Sequence, residues 1–316
     1  MKIVSSARLK TSIKNKLTKN YPDLNFYFFK DMEEASEDVY DADVLITYGE
    51  DVTNEMIIKS KNLKWVMVIS AGLDQMPLQA IKEKGILVTN ARGIHKIPMA
   101  EYTLAMMLQV SRQAKQLMKN EQERIWDRRV PMLELNDKTV GILGTGAIGS
   151  EIAKYCRFFN MNTIGFNRSG RRVDEFDQIV TLENINELLH NSDFIVSVLP
   201  STPDTDGMIN EKLINEMKEG VVLINIGRGK NIVEADLIAA LDGGNLAHAV
   251  LDVFTEEPLP EKSPFWGMDN VTVTPHLSGI SPHYQPRAFA IFEKNLNTFL
   301  KGGKDFINKV DVNRGY

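Results

Sequence analysis

The chain has 316 residues, 43% of them hydrophobic and 25% charged, with a formal net charge of −5. This is the profile of a folded globular protein long enough for two domains, and the acidic balance argues against a dedicated nucleic-acid binder. No apolar run approaches the ~18–20 residues of a membrane span, and the opening Lys2-Ile-Val4 lacks the apolar core of a signal peptide.

From the first residues, short apolar runs alternate with helical patterns. Strands are predicted at 2–5, 25–29, 44–48, 65–69 and 86–89, and helices at 8–19 and 76–84. Such alternation implies a parallel α/β sheet. A long helix is predicted over 98–119, with Pro98 at its start and an apolar face of Ala100, Leu104, Ala105, Met107 and Leu108. Met106, Met107 and Met118 read as exposed on that helix.

A second alternating series follows. Its strands are predicted at 139–143, 163–166, 179–181, 194–199, 221–226 and 248–253, with an edge strand at 271–274. Helices fit between them at 148–159, 185–190, 211–217 and 234–241, a count that suits a doubly wound nucleotide domain. The tail at 285–301 is amphipathic through Phe289, Phe292, Leu296 and Phe299, and is expected to return to the first domain. The expected organisation is therefore a domain of residues 98–280 inserted within one built from 1–97 and 281–316. The single cysteine, Cys156, permits no internal disulfide and fits a reducing cytoplasm; on the apolar face of the 148–159 helix it reads as a buried structural thiol.

Between the first strand and helix of the second series lies Gly144-Thr-Gly146-Ala-Ile-Gly149. In a dinucleotide fingerprint the first glycine permits the tight turn, and the second lets a pyrophosphate approach the backbone. The third lets helix and strand pack closely, while the helix start offers free N–H groups to the phosphates. The next strand should end on an acid that binds a ribose hydroxyl. It ends instead on Asn167-Arg168-Ser169, with Arg171 and Arg172 close behind.

Polar residues gather where later strands end. Arg228, between Gly227 and Gly229, is suited to grip a carboxylate bidentately. Asp252 and Glu257 follow the 248–253 strand, and His276 follows the edge strand. Among the five histidines only His276 combines a strand end with an acidic partner in prospect, and histidine is the natural proton donor near neutral pH. No set of metal ligands is read from the sequence. Tyr48, Met76, Met99 and Trp126 could line a substrate pocket, although each also suits ordinary packing.

The ordered motifs Gly144-x-Gly146-x-x-Gly149, Asn225-Ile-Gly-Arg228-Gly, Asp252-Val-Phe-x-x-Glu257-Pro and Thr274-Pro-His276 resemble the D-isomer-specific 2-hydroxyacid dehydrogenase family. Ser70-Ala-Gly-Leu-Asp74, Gly85-Ile-Leu-Val-Thr-Asn90, Ala100-Glu101 and Leu199-Pro-x-Thr202-x-x-Thr205 extend the resemblance over nearly the whole sequence. It implies two Rossmann-like or flavodoxin-like domains with parallel sheets, the nucleotide-binding domain inserted in the substrate-binding one. It further implies that His276 exchanges the proton of the carbonyl oxygen, that Glu257 holds His276 and favours its protonated form, and that Arg228 binds the substrate's carboxylate and carbonyl. Backbone N–H groups of Ala71 and Gly72 would help bind the carboxylate, and Asp252 would orient the nicotinamide carboxamide. The implied cofactor contacts comprise Gly144, Thr145, Gly146, Ala147, Ile148 and Gly149, the Asn167-Arg168-Ser169 turn, Leu199, Pro200, Thr205, Ile226, Gly227, Asp252 and His276.

Replacing the ribose-binding acid by Asn167-Arg168-Ser169 removes a negative charge that would repel a 2′-phosphate and adds a guanidinium. NADP(H) is therefore the expected cofactor, with Arg168 the main contact and NAD(H) the alternative. The same sequence is most similar to the NADPH-dependent glyoxylate/hydroxypyruvate reductases, which implies a small 2-oxo acid as substrate. Dehydrogenation of D-lactate, or of a D-2-hydroxy acid with a branched side chain, is the alternative, and a non-catalytic NAD(P)-sensing scaffold a further one. The resemblance also implies a cytoplasmic homodimer formed through the nucleotide-binding domain, with the 98–119 helix as its interface, and no nucleic-acid or membrane partner.

Overall fold

A computed structural model describes residues 1–73 and 75–312; Asp74 of the Ser70-Ala-Gly-Leu-Asp74 motif lies outside the described residues. The protein divides into two compact units, Met1–Ile94 with the segment from Ser281 onward, and His95–Ile280. The first unit contains β1 (Lys2–Ser5), α1 (Thr11–Asn20), β2 (Asn25–Phe28), α2 (Met32–Val39), β3 (Val44–Thr47), α3 (Asn54–Lys59), β4 (Trp65–Val68), α4 (Leu78–Glu83) and β5 (Leu87–Asn90). The second opens with α5 (Lys96–Ser111) and α6 (Ala114–Gln122), then β6 (Thr139–Leu143), α7 (Ala147–Phe158), β7 (Asn162–Phe166) and β8 (Gln178–Val180). It continues through α8 (Asn186–Asn191), β9 (Phe194–Ser197), α9 (Glu211–Asn215), β10 (Val221–Asn225), α10 (Glu234–Asp242), β11 (Leu246–Leu251) and β12 (Val271–Val273). The helix α11 (Tyr284–Leu300) belongs to the first unit.

The first unit's sheet runs β2-β1-β3-β4-β5, with every pairing parallel. All four residues of β4 are fully buried, because helices cover both faces of a parallel sheet and each side chain meets one layer or the other. Trp65 and Met67 join Ile13 and Leu17 of α1 and Phe289, Phe292 and Leu296 of α11. Val66 and Val68 face the opposite way, into Ala35 and Val39 of α2, Ile57 of α3 and Ile81 of α4. The amphipathic tail thus supplies one face of the first unit's core, as its Phe-x-x-Phe-x-x-x-Leu spacing implies.

The second unit's sheet runs β12-β11-β10-β9-β6-β7-β8, again wholly parallel. Numbered within the unit this is the doubly wound Rossmann order with an added edge strand, and its direction reverses between β6 and β9. One face packs Val140 and Ile142 against α5 and α7, and the other packs Leu223 and Leu251 against α8, α9 and α10.

Several sequence expectations need correction. The boundary between the units falls after Ile94 rather than Ile97, because α5 begins at Lys96 with His95 capping it. Pro98 therefore stands in the first turn, where its missing N–H costs no helical bond. The long helix predicted over 98–119 is two: Arg112 N–H bonds back to Leu108 and Val110, Gln113 turns left-handed at φ +52°, and α6 starts afresh. No glycine or proline marks that break. Met107 is fully buried in the core, while Ala105 is exposed. Thr103 is buried in its stead, with its hydroxyl bonded to the Met99 carbonyl.

Candidate active site

The glycine loop leaves β6 at its carboxyl end, beside the point where the strand order reverses. Gly144 takes φ +111°, open to glycine, and a Cβ there would stand 2.9 Å from Val198 Cγ2. A Cβ on Gly149 would collide with the carbonyl oxygen of Gly144, so the helix lies against its own strand. Gly146 differs: nothing lies within 4 Å of a Cβ built on it. It caps α7 with no side-chain hydrogen bond, and no acid occupies the first turn. Close packing at the first and third glycines and open space at the second is the arrangement a pyrophosphate requires at a helix start.

At the end of β7 the Asn167 amide has a structural role. Its Nδ2 donates to Thr145 Oγ1 at 3.0 Å and to the Arg171 carbonyl at 2.9 Å, while Ser169 Oγ donates to its Oδ1 at 3.2 Å. A carboxylate here could not donate to the Arg171 carbonyl, which gives the missing acid a local cause beside any cofactor preference. Arg168, by contrast, projects into solvent, 81% exposed, and its Nη1 lies 3.5 Å from the equally open Asp204 carboxylate.

Arg228 follows β10 on a loop organised by two fully buried asparagines. Asn225 accepts from Gly227 N–H (3.1 Å) and donates to the Arg228 carbonyl (3.0 Å). Asn231 accepts from Arg228 N–H (3.1 Å) and donates to the Pro200 carbonyl (2.9 Å). A Cβ on Gly227 would lie 2.6 Å from the Leu199 carbonyl oxygen, and one on Gly229 would overlap the Phe254 backbone. The flanking glycines thus let the neighbouring strand ends close on the arginine's backbone.

His276 stands just beyond β12. Its Nδ1 is 2.8 Å from Glu257 Oε2, and Glu257 Oε1 accepts from Phe254 N–H at 3.0 Å, which fixes the carboxylate. The imidazole is half exposed, and its Nε2 forms no hydrogen bond among the described residues. The residue sits at φ +50°, a left-handed conformation unusual outside glycine, held by its N–H donating to the carbonyls of Asp252 (2.8 Å) and Thr274 (3.1 Å). Asp252 is fully buried. Its Oδ1 accepts from Thr274 Oγ1 (2.6 Å) and Leu277 N–H (2.9 Å), and its Oδ2 from Ser278 N–H (2.9 Å). The side chain expected to meet the nicotinamide carboxamide thus has both oxygens engaged in the loop that carries His276.

In the first unit, Ala71 and Gly72 follow β4. Asn90 Nδ2 holds the Ala71 carbonyl at 3.0 Å, Ser70 Oγ donates to the Tyr48 carbonyl at 2.9 Å, and the N–H groups of Ala71 and Gly72 bond to no other described residue. Met76 is core, Met99 packs partly buried beside α5's neighbours, and Trp126 is 92% exposed. Cys156 is buried, which pushes its thiol pKa up to about 12. Sequence reasoning gave no role to Asn231, Thr274 or Tyr102, whose hydroxyl lies 2.7 Å from Thr274 Oγ1. Thr274 was visible within its motif; Tyr102 carried no signal beyond a polar atom on an otherwise apolar helix face.

A Rossmann sheet with a carboxylate-held histidine on the edge that carries its phosphate loop is the arrangement of an NAD(P)-dependent oxidoreductase. Residues 104–278 match the family described as D-isomer specific 2-hydroxyacid dehydrogenase, NAD binding domain. The chain is 31% identical to a hydroxypyruvate reductase of Blautia hydrogenotrophica over 88% of its own length and 89% of the relative's. It is 36% identical to a D-3-phosphoglycerate dehydrogenase of Methanocaldococcus jannaschii over 85% of its length, a match that spans about half (52%) of that relative. Among solved structures, a D-isomer specific 2-hydroxyacid dehydrogenase family protein from Aeromonas salmonicida superposes with a TM-score of 0.89 at 33% identity, covering 98% of this protein and 99% of that one. An NADPH-dependent glyoxylate/hydroxypyruvate reductase from Sinorhizobium meliloti, in complex with NADP and sulfate, gives 0.86 at 27% identity, covering 100% and 99%. The chain belongs to the D-isomer-specific 2-hydroxyacid dehydrogenase family. No helix among the described residues is long and apolar enough to cross a membrane.

Proposed function

We propose that this protein reduces a small 2-oxo acid of the glyoxylate or hydroxypyruvate kind to the D-2-hydroxy acid, with NADPH as the preferred reductant. The observation that carries the reading is the His276–Glu257 pair, whose 2.8 Å contact engages Nδ1 of a half-exposed imidazole and leaves Nε2 without a hydrogen bond among the described residues. With Nδ1–H donated to the carboxylate, Nε2 is the atom that exchanges a proton with the substrate oxygen. Arg228 grips the substrate carboxylate and polarises the carbonyl. As negative charge develops on the carbonyl oxygen, His276 delivers its proton there, and Glu257 stabilises the imidazolium beforehand. When bound, the nicotinamide supplies the hydride.

The glycine loop, with Thr145, Ala147 and Ile148, is assigned to the pyrophosphate, and Leu199, Pro200, Thr205, Ile226 and Gly227 to the dinucleotide beyond the switch point. Arg168 is assigned to the 2′-phosphate; its open guanidinium supports this, as does the NADP held by the Sinorhizobium meliloti relative. Exposed apolar side chains concentrated at Leu117, Met118, Ile125, Trp126, Met132 and Leu133 support a homodimer formed through this unit. Light scattering that finds a monomer would contradict the dimer. The activity is tested by following NADPH and NADH oxidation with glyoxylate, hydroxypyruvate, pyruvate and 2-oxoisocaproate. Higher kcat/KM for the first two acids and for NADPH is expected; no turnover with any of them would overturn the reading.

A further inference from the structure

We infer that Tyr102 and Thr274 are positioning residues for His276, acting through the buried carboxylate of Asp252. Thr274 has one hydroxyl proton, and the 2.6 Å contact with Asp252 Oδ1 takes it. Tyr102, 2.7 Å from the same hydroxyl, must therefore be the donor, so the relay runs one way from Tyr102 through Thr274 to Asp252. Asp252 in turn fixes the two residues after His276 through Leu277 and Ser278 N–H, while its own carbonyl receives the His276 N–H. The left-handed backbone of His276 is thereby tied on both sides to one buried anchor, which over-determines a conformation that histidine alone would not favour. Burial raises the Tyr102 pKa to about 12, so the phenol keeps its proton and remains a donor near neutral pH.

Tyr102 stands on α5, and the same helix face reaches the edge strand again two turns on. Gln109 Nε2 donates to Thr272 Oγ1 at 3.2 Å, and beyond α5 Lys115 Nζ donates to the Val271 carbonyl at 2.8 Å. β12 pairs with β11 alone among the described strands, and these tethers add to that single ladder in holding the strand that leads to His276. Tyr102 is the tether nearest the reacting end.

The inference rests on His276 being the proton donor, and the two are separable by experiment. Tyr102→Phe, Thr274→Val, Thr274→Ser and His276→Ala would be assayed for glyoxylate and hydroxypyruvate reduction, alongside dissociation constants for NADPH from fluorescence titration. Thr274→Val is expected to lower kcat ~100-fold and Tyr102→Phe ~10-fold, the scale of loss that a misplacement of about 1 Å can produce. NADPH affinity should stay within about twofold in both, which also reports that the nucleotide fold is intact. Thr274→Ser, which keeps the hydroxyl, should restore most of kcat. An unchanged kcat in Thr274→Val and Tyr102→Phe while His276→Ala is inactive would overturn this inference alone. So would a Thr274→Ser variant as impaired as the valine. A loss confined to NADPH binding would overturn it in favour of direct cofactor contact by Asp252. Full activity in His276→Ala would remove the reading on which it stands.

Discussion

Beyond two strands of the second unit's sheet, the proposed proton donor and the proposed phosphate contact are held in opposite ways. At the β12 end, His276 rests on Asp252, which is fully buried and bonded to three donors on a loop and a strand end. At the β7 end, Arg168 stands 81% exposed, its ion-pair partner among the described residues an Asp204 carboxylate almost as open at 3.5 Å. A buried, directional network loses much when one member goes, and salt does not weaken it. An exposed ion pair contributes little and is screened. On the proposed reading, position is thus fixed where a proton would move through a set distance, while charge alone would suffice to attract a phosphate.

That contrast can be broken by substitution. The largest effect is expected for His276→Ala, a ~1,000-fold loss of kcat with NADPH affinity kept within about twofold, read by steady-state kinetics and titration. Retained turnover would take the proton from another group. Next is Gly149→Ala: its Cβ would collide with the Gly144 carbonyl, so a loss of about 3 kcal/mol in denaturant unfolding and a weakened NADPH site are expected. A neutral result would mean that the helix can move off its strand.

His248 sharpens the buried side. Burial, with Lys115 nearby, lowers its pKa from 6.5 to about 4, and its Nε2 lies 2.9 Å from Thr272 Oγ1. Because the folded value is the lower one, the unfolded state takes up the proton first as pH falls. Its contribution is complete above pH 6.5 and is lost between pH 6.5 and 4, amounting to about 3 kcal/mol. Thermal melts of His248→Gln should therefore depend less on pH in that window than those of the parent; parallel curves would assign the acid loss elsewhere. The smallest effect belongs to the open end. Arg168→Gln should lower kcat/KM for NADPH ~10-fold and leave NADH within about twofold, with the difference shrinking in ~0.5 M salt. An equal loss for both cofactors would mean that Arg168 shapes the turn rather than reads the phosphate.

Much of this arrangement was legible in the residues. The alternation of apolar runs gave both parallel sheets, because strands buried on two faces read as continuous Val, Ile and Leu. The tail's phenylalanine spacing gave α11, and the fingerprint gave its loop because each glycine answers a separate steric demand. Short helices escaped notice: α2 and α3, with eight and six residues, rest on their Asp31 and Thr53 caps and a few buried contacts rather than on long periodicity. The division between α5 and α6 also escaped, since Gln113 turns left-handed without a glycine to announce it. Long-range hydrogen bonding was least visible. Asn167 bonds across 22 residues to Thr145, and Tyr102 across 172 to Thr274, and no local pattern encodes such pairs.

The most direct test is the product formed from hydroxypyruvate and NADPH by the purified protein, resolved by configuration. D-glycerate formed in step with NADPH oxidation is the expected result. L-glycerate, or no glycerate under conditions where NADPH binds, would contradict the assignment of this site to D-2-hydroxy acid chemistry.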